Sequence, residues 1–516
     1  MTRAVVKRNT YVDSVSLMSV SSRANEIDGV HQAFVAMGTP MNKEVLRDLG
    51  LMTFELEQAG AGDLMIVVET LDAEEDDALM ERVESLLQKR PEVAGTPERA
   101  YRTLASAAGA VPDANLAVIS VAGAYAAREA RRALQAGLHV MLFSDNVTVE
   151  DELDLKRLAH EKGLLMMGPD CGTAIVNGVG LCFANAVRRG TIGIVAASGT
   201  GSQEVSVRID ALGAGVSQLI GTGGRDVSEE IGGLMMLDAM RALDADPGTD
   251  VVVLVSKPPA ASVEASVLAE AARMATPVVA CFLGGSGTAT ATSGVTVART
   301  TEDAARAAVR VAGMAGDDAE RPPADDPAVA GEARARLRPE QRYIRGLFCG
   351  GTLCDEAMYL ALERHDDVFS NIQKDPDRRL DAQSASVAHT FLDLGDDDFT
   401  NGRPHPMIDP STRVARLRRE AEDPEVAVIA MDFILGYGAH EDPAGAMLPA
   451  IADATARAAA DGRHLEMLGY VLGTERDRPR IGEQTAKLEQ AGVRIARSST
   501  HLGLLARDLV PAGETR

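Results

Sequence analysis

No tryptophan occurs in this 516-residue chain, and aromatic side chains make up only 3% of it. An aromatic-lined groove is thereby disfavoured, and the abundant Ala and Gly point to helices packed closely on sheets. Cysteine is scarce as well, with five residues at 171, 182, 281, 349 and 354. Cys349 and Cys354 are separated by GGTL, which is not a standard zinc spacing, and no histidine cluster joins them. The expectation is buried or reduced thiols of a cytoplasmic protein, with no metal site assigned. Basic residues are outnumbered, 52 Lys and Arg against 76 Asp and Glu, for a net charge of −24. Such a surface repels nucleic acid and anionic membranes, so neither is expected as a partner. No apolar run approaches a transmembrane span, and the start MTRAVVKRNTYVDS has no signal-peptide core.

What is present is alternation. Residues 3–92 read as a small α/β unit, with strands at 4–8, 31–37 and 63–70 and helices at 14–26, 42–51 and 74–88. That order predicts a ferredoxin-like sandwich. Residues 113–189 alternate more regularly, with strands at 115–121, 139–144 and 164–171 around glycine-terminated helices, which predicts a Rossmann-type parallel sheet. The pattern continues from Ile192 to Ala312 and again from Arg345 onward, giving two further doubly wound domains. The Pro-, Ala- and Asp-rich stretch 313–340 reads as a linker. The fold class is therefore α/β, divided at 1–110, 111–189, 190–312, 313–340 and 341–516.

The chemistry concentrates in TIGIVAASGTGSQE (191–204). An apolar run, Ile192 to Ala197, breaks at Ser198-Gly199-Thr200-Gly201-Ser202 and passes into a helical pattern. A strand turning through small residues into a helix leaves N–H groups unpaired at the positive end of the helix dipole, a seat for phosphate or carboxylate. A second such loop, Gly221-Thr222-Gly223-Gly224-Arg225, follows the next apolar run. Two adjacent loops of this kind suggest an anion handled at the carboxyl edge of a parallel sheet. Lys257, at a strand end before two prolines, and His405, between Pro404 and Pro406, are further candidates for chemistry. Each feature also has a plain reading: a tight turn, a solvated loop lysine, a rigid loop histidine. Asp396 to Asp398 read more readily as a solvated acidic loop than as a cation site, and the Met-rich stretch 232–240 as helix core.

The segments GPDCGT (168–173), GIVAASGTGSQEV (193–205), IGTGGRDVSEEIGG (220–233) and VVVLVSKPP (251–259) resemble the α subunit of succinyl-CoA synthetase. Residues 345–510 are similar to the ligase domain of that enzyme's β subunit, with HTFLDLG (389–395) in the corresponding place. The order, behind a small amino-terminal domain, resembles the FdrA family, acyl-CoA synthetase-like proteins. The resemblance implies that Ser198, Gly199 and Thr200 hold a phosphate. It makes Gly395-Asp396-Asp397-Asp398-Phe399 the altered partner turn, with Arg403 and His405 nearby. Three departures limit the carry-over. The region matching the phosphohistidine loop, GGSGTATATSGVTVART (284–300), contains no histidine, and neither Ser nor Thr replaces a phosphoramidate carrier. No ATP-grasp domain is expected. The glycine-rich CoA loop has no counterpart around 113–130, which leaves CoA binding doubtful.

FdrA-like proteins are associated with oxamate carbamoyltransferase, in which oxalurate and phosphate give oxamate and carbamoyl phosphate during purine (allantoin) breakdown. That resemblance implies a transferase subunit in a hetero-oligomer with other carbamoyltransferase subunits, with no certain cofactor beyond phosphate and carbamoyl phosphate as substrates. Ser198 to Ser202 would bind the attacking phosphate, and Gly221 to Arg225 the carboxylate substrate, with Arg225 pairing in bidentate fashion. The alternatives are an ADP-forming acyl-CoA ligase working with a separate ATP-grasp partner, and a non-catalytic scaffold subunit.

Overall fold

The computed structural model describes residues 2–8, 10, 12, 14–25, 27, 29–60, 62–70, 76–88, 101–285, 294–314, 327–382, 384–400 and 404–511. Its strands assemble into four sheets. The amino-terminal unit pairs β1 (Thr2–Lys7), β3 (Leu64–Thr70) and β2 (Val30–Met37) in that order, all antiparallel. Helices Ser14–Asn25 and Asp76–Gln88 contribute to the core on one face, with Leu17, Val20, Leu79 and Val83 buried. Ser21 and Asn25 of the first helix bond the main chain of Ala33 and Val35, so the edge strand β2 is satisfied by side chains.

β4 (Leu116–Ile119), β5 (His139–Leu142) and β6 (Met166–Met167) form a short parallel Rossmann-type sheet. The hairpin β7 (Thr173–Val176) and β8 (Val179–Cys182) follows in sequence but joins the next sheet, where β7 pairs antiparallel with β10. That sheet runs β13-β12-β11-β9-β10-β7-β8. Its parallel part contains β9 (Arg189–Ala196), β10 (Val216–Gly221), β11 (Val251–Ser256), β12 (Val278–Phe282) and β13 (Val295–Ala298). The last sheet is parallel throughout, in the order β15-β16-β14-β17-β18-β19. It consists of β14 (Tyr343–Phe348), β15 (Val368–Ser370), β16 (His389–Asp393), β17 (Val426–Ile434), β18 (Glu466–Leu472) and β19 (Arg494–Ile495). Strands such as VVVLVS and VAVIAMDFI are buried along their whole length because helices cover both faces, which is why they read as continuous apolar runs. Of the stretch read as a linker, residues 315–326 lie outside the described residues, and Pro327–Arg334 is a helix.

Both large sheets reverse their winding at the first strand of the set. β9 has β10 on one side and β11 on the other, and β14 has β16 and β17. The helices that follow these strands, Gly199–Ala211 and Gly351–Leu362, therefore start at the two topological switch points, where open α/β sheets form their crevices. The helices pack against each other. Each carries a buried glutamate that caps a helix of its own or the opposite domain. Glu204 accepts from Tyr470 Oη (2.5 Å) and from Ser499 N (3.1 Å) at the start of Ser499–Leu509. Glu356 accepts from Thr301 N (2.7 Å) at the start of Thr301–Val311, and from Thr500 Oγ1 (3.1 Å). Asn185 extends the interface by donating to Leu435 O (2.8 Å) and Asp477 Oδ2 (2.9 Å).

A second buried polar cluster anchors the loop after β10. Lys156 Nζ donates to Glu152 Oε1 (2.7 Å), Asp226 Oδ1 (2.8 Å) and Thr222 O (3.0 Å), and all three side chains are fully buried. Asp226 in turn accepts from Met235 N and Met236 N, tying the loop to the next helix. Removing the cation takes the buried positive charge from Asp226, which keeps the amides of Met235 and Met236, and leaves Glu152 to Arg225. Lys156→Met is expected to destabilise the chain by about 3 kcal/mol or more, measured by denaturant titration. Burial pushes the Glu204 carboxyl up to about 7, so the folded state holds a proton that the unfolded chain has released. Stability contributed by this group therefore falls as pH rises from the ordinary carboxylate range through 7. Glu204→Gln is expected to reduce the loss of stability between pH 5.5 and 8, read from melting temperatures across that range.

Candidate functional site

Ser198 leaves the β9 ladder with extended backbone and caps its helix, its Oγ accepting from Gly201 N at 3.0 Å. The facing turn is Gly350-Gly351-Thr352, at the end of β14. Ser198 Oγ and Thr352 Oγ1 are hydrogen-bonded to each other, and Thr352 N donates to Thr200 Oγ1 at 3.4 Å. A Cβ on Gly201 would stand 2.8 Å from Thr352 Cγ2, so a bare backbone is needed where the helices meet. Two positive helix ends thus converge, an arrangement that repels itself unless negative charge is supplied. On one side it is supplied internally. Asp432 accepts from both Cys349 N and Gly350 N at 2.8 Å and pairs with buried Arg413. On the other side the first turn of Gly199–Ala211 carries no acid.

The junction opens into a cavity of about 2280 Å³. Ser198, Gly199 and Thr200 line it, as do Gly351 and Thr352 of the facing turn. Gly221, Gly223 and Gly224 line it also. Gly223 has φ +82°, and a Cβ there would stand 2.3 Å from Pro169 O, so glycine is required by conformation and by space. The loops after β4 and β5, Ser120–Tyr125 and Phe143–Asn146, form another part of the wall, and the amino-terminal unit contributes Gln32, Phe34 and Asn42.

Several expected site residues are placed elsewhere. Gly201 and Ser202 lie outside the lining, Ser202 Oγ being spent on Gly199 O at 2.7 Å. Thr222 is fully buried beneath the loop. Arg225 does not line the cavity either. Its Nε lies 2.9 Å from Glu152 Oε2 and its Nη2 donates to Val147 O at 2.7 Å, so the fork expected for a substrate carboxylate is engaged by the protein. The partner turn also differs from expectation. The turn hydrogen-bonded to Ser198 belongs to Gly350–Thr352, while Gly395, Asp397 and Asp398 line the same cavity; Asp397–Thr400 is a short helix on its wall, started by Asp396 accepting from Asp398 N. Arg403 lies outside the described residues.

Lys257 and His405 do reach the cavity. Lys257 Nζ lies 3.0 Å from Asp355 Oδ2. Burial works against its charge, but Asp355 and Asp393 outweigh it and hold the ammonium above its usual range. His405 Nδ1 accepts from Met407 N at 3.2 Å, so the neutral ring carries its proton on Nε2. Burial, with Arg413 nearby, lowers its pKa to about 4. In this tautomer Nε2, which lies against Gly395, is an N–H donor and has no free lone pair with which to carry a phosphoryl group.

Asp393 is a cavity residue that no sequence motif singles out. It is buried at the end of β16, lines the cavity, and Gly395 N donates to its Oδ1 at 3.0 Å. The shared spacing of Ser198-Gly-Thr to Glu204 and Gly350-Gly-Thr to Glu356 is the sequence signal that marks the true partner turn. All five cysteines are free; Cys171, Cys281, Cys349 and Cys354 are buried, and burial raises their thiol pKa values. Among the described residues no group of three or more His, Cys, Asp or Glu side chains is placed to hold a metal ion, and no helix is long and apolar enough to cross a membrane.

Family models match in three places: "AllF, heavy metal-associated domain" at residues 1–101, "CoA binding domain" at 187–285 and "CoA-ligase" at 347–508. Residues 1–101 contain no cysteine and a single histidine, His31, so they do not fit a thiolate metal site. Uncharacterized protein YahF of Escherichia coli (strain K12) is 59% identical over 512 residues, 99% of each chain. Succinate–CoA ligase [ADP-forming] subunit alpha 2 of Archaeoglobus fulgidus is 32% identical over 149 residues, 28% of this chain and 50% of that one. The chain thus spans about half the length of that relative. Dinucleotide-forming acetyl-coenzyme A synthetase 1 of Ca. Korarchaeum cryptofilum is similar at 17% identity, covering 81% of this chain and 87% of that one, with a TM-score of 0.31. The family models and the succinate–CoA ligase relative support succinyl-CoA synthetase-like, ligase-type domains; none of them names carbamoyl transfer. By its near-full-length identity to YahF and its paired CoA-binding and CoA-ligase segments, the chain belongs to the FdrA family of succinyl-CoA synthetase-like proteins.

Proposed function

We propose that this chain is an acyl-CoA ligase-type subunit that holds phosphate at the junction of its two switch-point helices and exchanges an acyl group between that phosphate and CoA. The observation that carries this reading is the convergence of Ser198-Gly199-Thr200 and Gly351-Thr352 on one cavity. First-turn N–H groups of Gly199, Thr200 and Gly351 have no acceptor within their own helices, and they supply preorganised donors for a tetrahedral oxyanion. Lys257 adds fixed positive charge, and the Nε2–H of His405 adds a neutral donor. The loops after β4 and β5 offer CoA a place on the same cavity. Helix Gly123–Gln135 starts there without a side-chain cap, and Gly123 lacks a Cβ that would stand 2.3 Å from Asp145 O.

A second reading is favoured by one feature. With no histidine in 284–300 and His405 held as a donor, a phosphoryl group has no carrier there, which suits direct transfer of a carbamoyl or acyl group to inorganic phosphate. Cleavage of an oxalurate-type substrate by phosphate, giving oxamate and carbamoyl phosphate, needs only positioning and oxyanion stabilisation. Both readings share the phosphate seat, and both place the chain in a hetero-oligomer with the subunits that complete the reaction.

Titration calorimetry of the full chain with inorganic phosphate is expected to show binding. Ser198→Asp, which puts a carboxylate at the seat, is expected to weaken it at least tenfold, about 1.4 kcal/mol, with the melting temperature little changed. CoA titrated into the same protein separates the readings. Micromolar affinity supports acyl exchange with CoA; no CoA binding, with phosphate-dependent carbamoyl phosphate release once partner subunits are added, supports carbamoyl transfer. Absence of phosphate binding overturns both.

A further inference from the structure

We infer that Asp393 is the proton-carrying group of the anion seat: a tetrahedral oxyanion enters together with a proton taken up by this carboxylate, which then donates to it. This rests on the phosphate-seat reading and adds the residue that makes the seat pH-dependent. Asp393 is 5% exposed, and what surface it keeps lies on the cavity. Its main chain is clamped by Asn371, with Asp393 N donating to Asn371 Oδ1 at 3.0 Å and Asn371 Nδ2 donating to Asp393 O at 3.1 Å. One carboxylate oxygen is held by Gly395 N. The other, Oδ2, has no hydrogen-bond partner among the described residues and lies over the first turn of Gly351–Leu362. A Cβ on Gly351 would stand 2.3 Å from this oxygen and 3.3 Å from Lys257 Nζ. An unpaired carboxylate oxygen therefore occupies the place where an incoming anion meets the facing helix.

Two negative groups cannot share that space at low cost. The titratable and charged groups around Asp393 come from every element that packs against it. Lys257 follows β11, Asp355 and Cys354 lie on the Gly351 helix, Asp396 is in the following loop, His405 lies against Gly395, and Asp432 with Arg413 and Cys349 sit behind. Lys257 is already paired with Asp355. It lowers the Asp393 pKa, but burial, Asp396 and Asp355 leave it raised to about 7. A proton on Oδ2 removes the repulsion and makes Asp393 an O–H donor to the anion. No bond other than that to the proton is made or broken, and the proton comes from solvent.

Sulfate, which does not titrate between pH 6 and 9, is the probe, with phosphate alongside it. In the wild-type full chain, sulfate affinity is expected to fall roughly tenfold per pH unit above the Asp393 transition. Calorimetry at pH 8 in two buffers of different ionisation enthalpy is expected to register uptake of close to one proton per anion. Asp393→Asn is expected to flatten the pH profile and abolish the proton uptake while still binding sulfate at pH 8. Phosphate or sulfate binding to the wild type with a flat sulfate profile and no proton uptake overturns this inference and leaves the seat intact. Failure of both anions to bind at any pH overturns the seat and the inference together. The wild-type proton count decides the matter even if the Asn variant does not fold.

Discussion

Two helix amino termini that meet at the edge of a single cavity are the constraint on which the rest of this molecule depends. Each brings the positive end of a dipole and first-turn N–H groups without an acceptor in their own helix, and their proximity is unfavourable without compensating negative charge. The chain compensates unequally. The Gly351 helix has Asp432 bonded to the amides just before it, with Arg413 behind and Asp393 over its first turn. The Gly199 helix has only the Ser198 hydroxyl, which is shared with Thr352. An anion entering the junction meets open amides on the Gly199 side and a carboxylate on the other.

Holding the two termini in register falls to polar groups buried between the halves. Glu204 reaches into the carboxy-terminal sheet domain to bond Tyr470 and the Ser499 helix, and Glu356 reaches back to the Thr301 helix. Carboxylates placed this deep are expensive to desolvate, and they tolerate only geometries in which their hydrogen bonds are satisfied. An apolar contact of equal area would permit sliding; these contacts do not. The Lys156–Glu152–Asp226 cluster does the same for the loop after β10, which explains why Thr222 and Arg225 serve the scaffold while Gly221, Gly223 and Gly224 face the cavity.

Much of the fold could be read from the residues. Continuous apolar runs such as VVVLVS, bounded by glycine turns and helical periodicity, mark buried parallel strands because both faces must be covered. The hairpin 173–182 is not read from the sequence at all, and nothing local indicates that it joins the next sheet rather than the Rossmann-type one. The SGT turn is recognisable for its strand-to-helix transition. Its partner is not: the resemblance makes the acidic loop Gly395–Phe399 the partner turn, whereas the turn bonded to Ser198 belongs to Gly350–Thr352. Arg225 likewise looked free for a substrate, and only the folded chain brings Glu152 and Val147 O to its guanidinium.

The order of residues by itself determined the α/β class, the glycine turns and the capping hydroxyl of Ser198, because these depend on periodicity and on groups within one helical turn of each other. Tertiary structure alone decided which turns meet, that Asp393 and Lys257 both lie over Gly351, and that His405 keeps its proton on Nε2. Those outcomes arise from groups far apart in the chain, and their charges and hydrogen bonds acquire a direction only after the two sheets have docked.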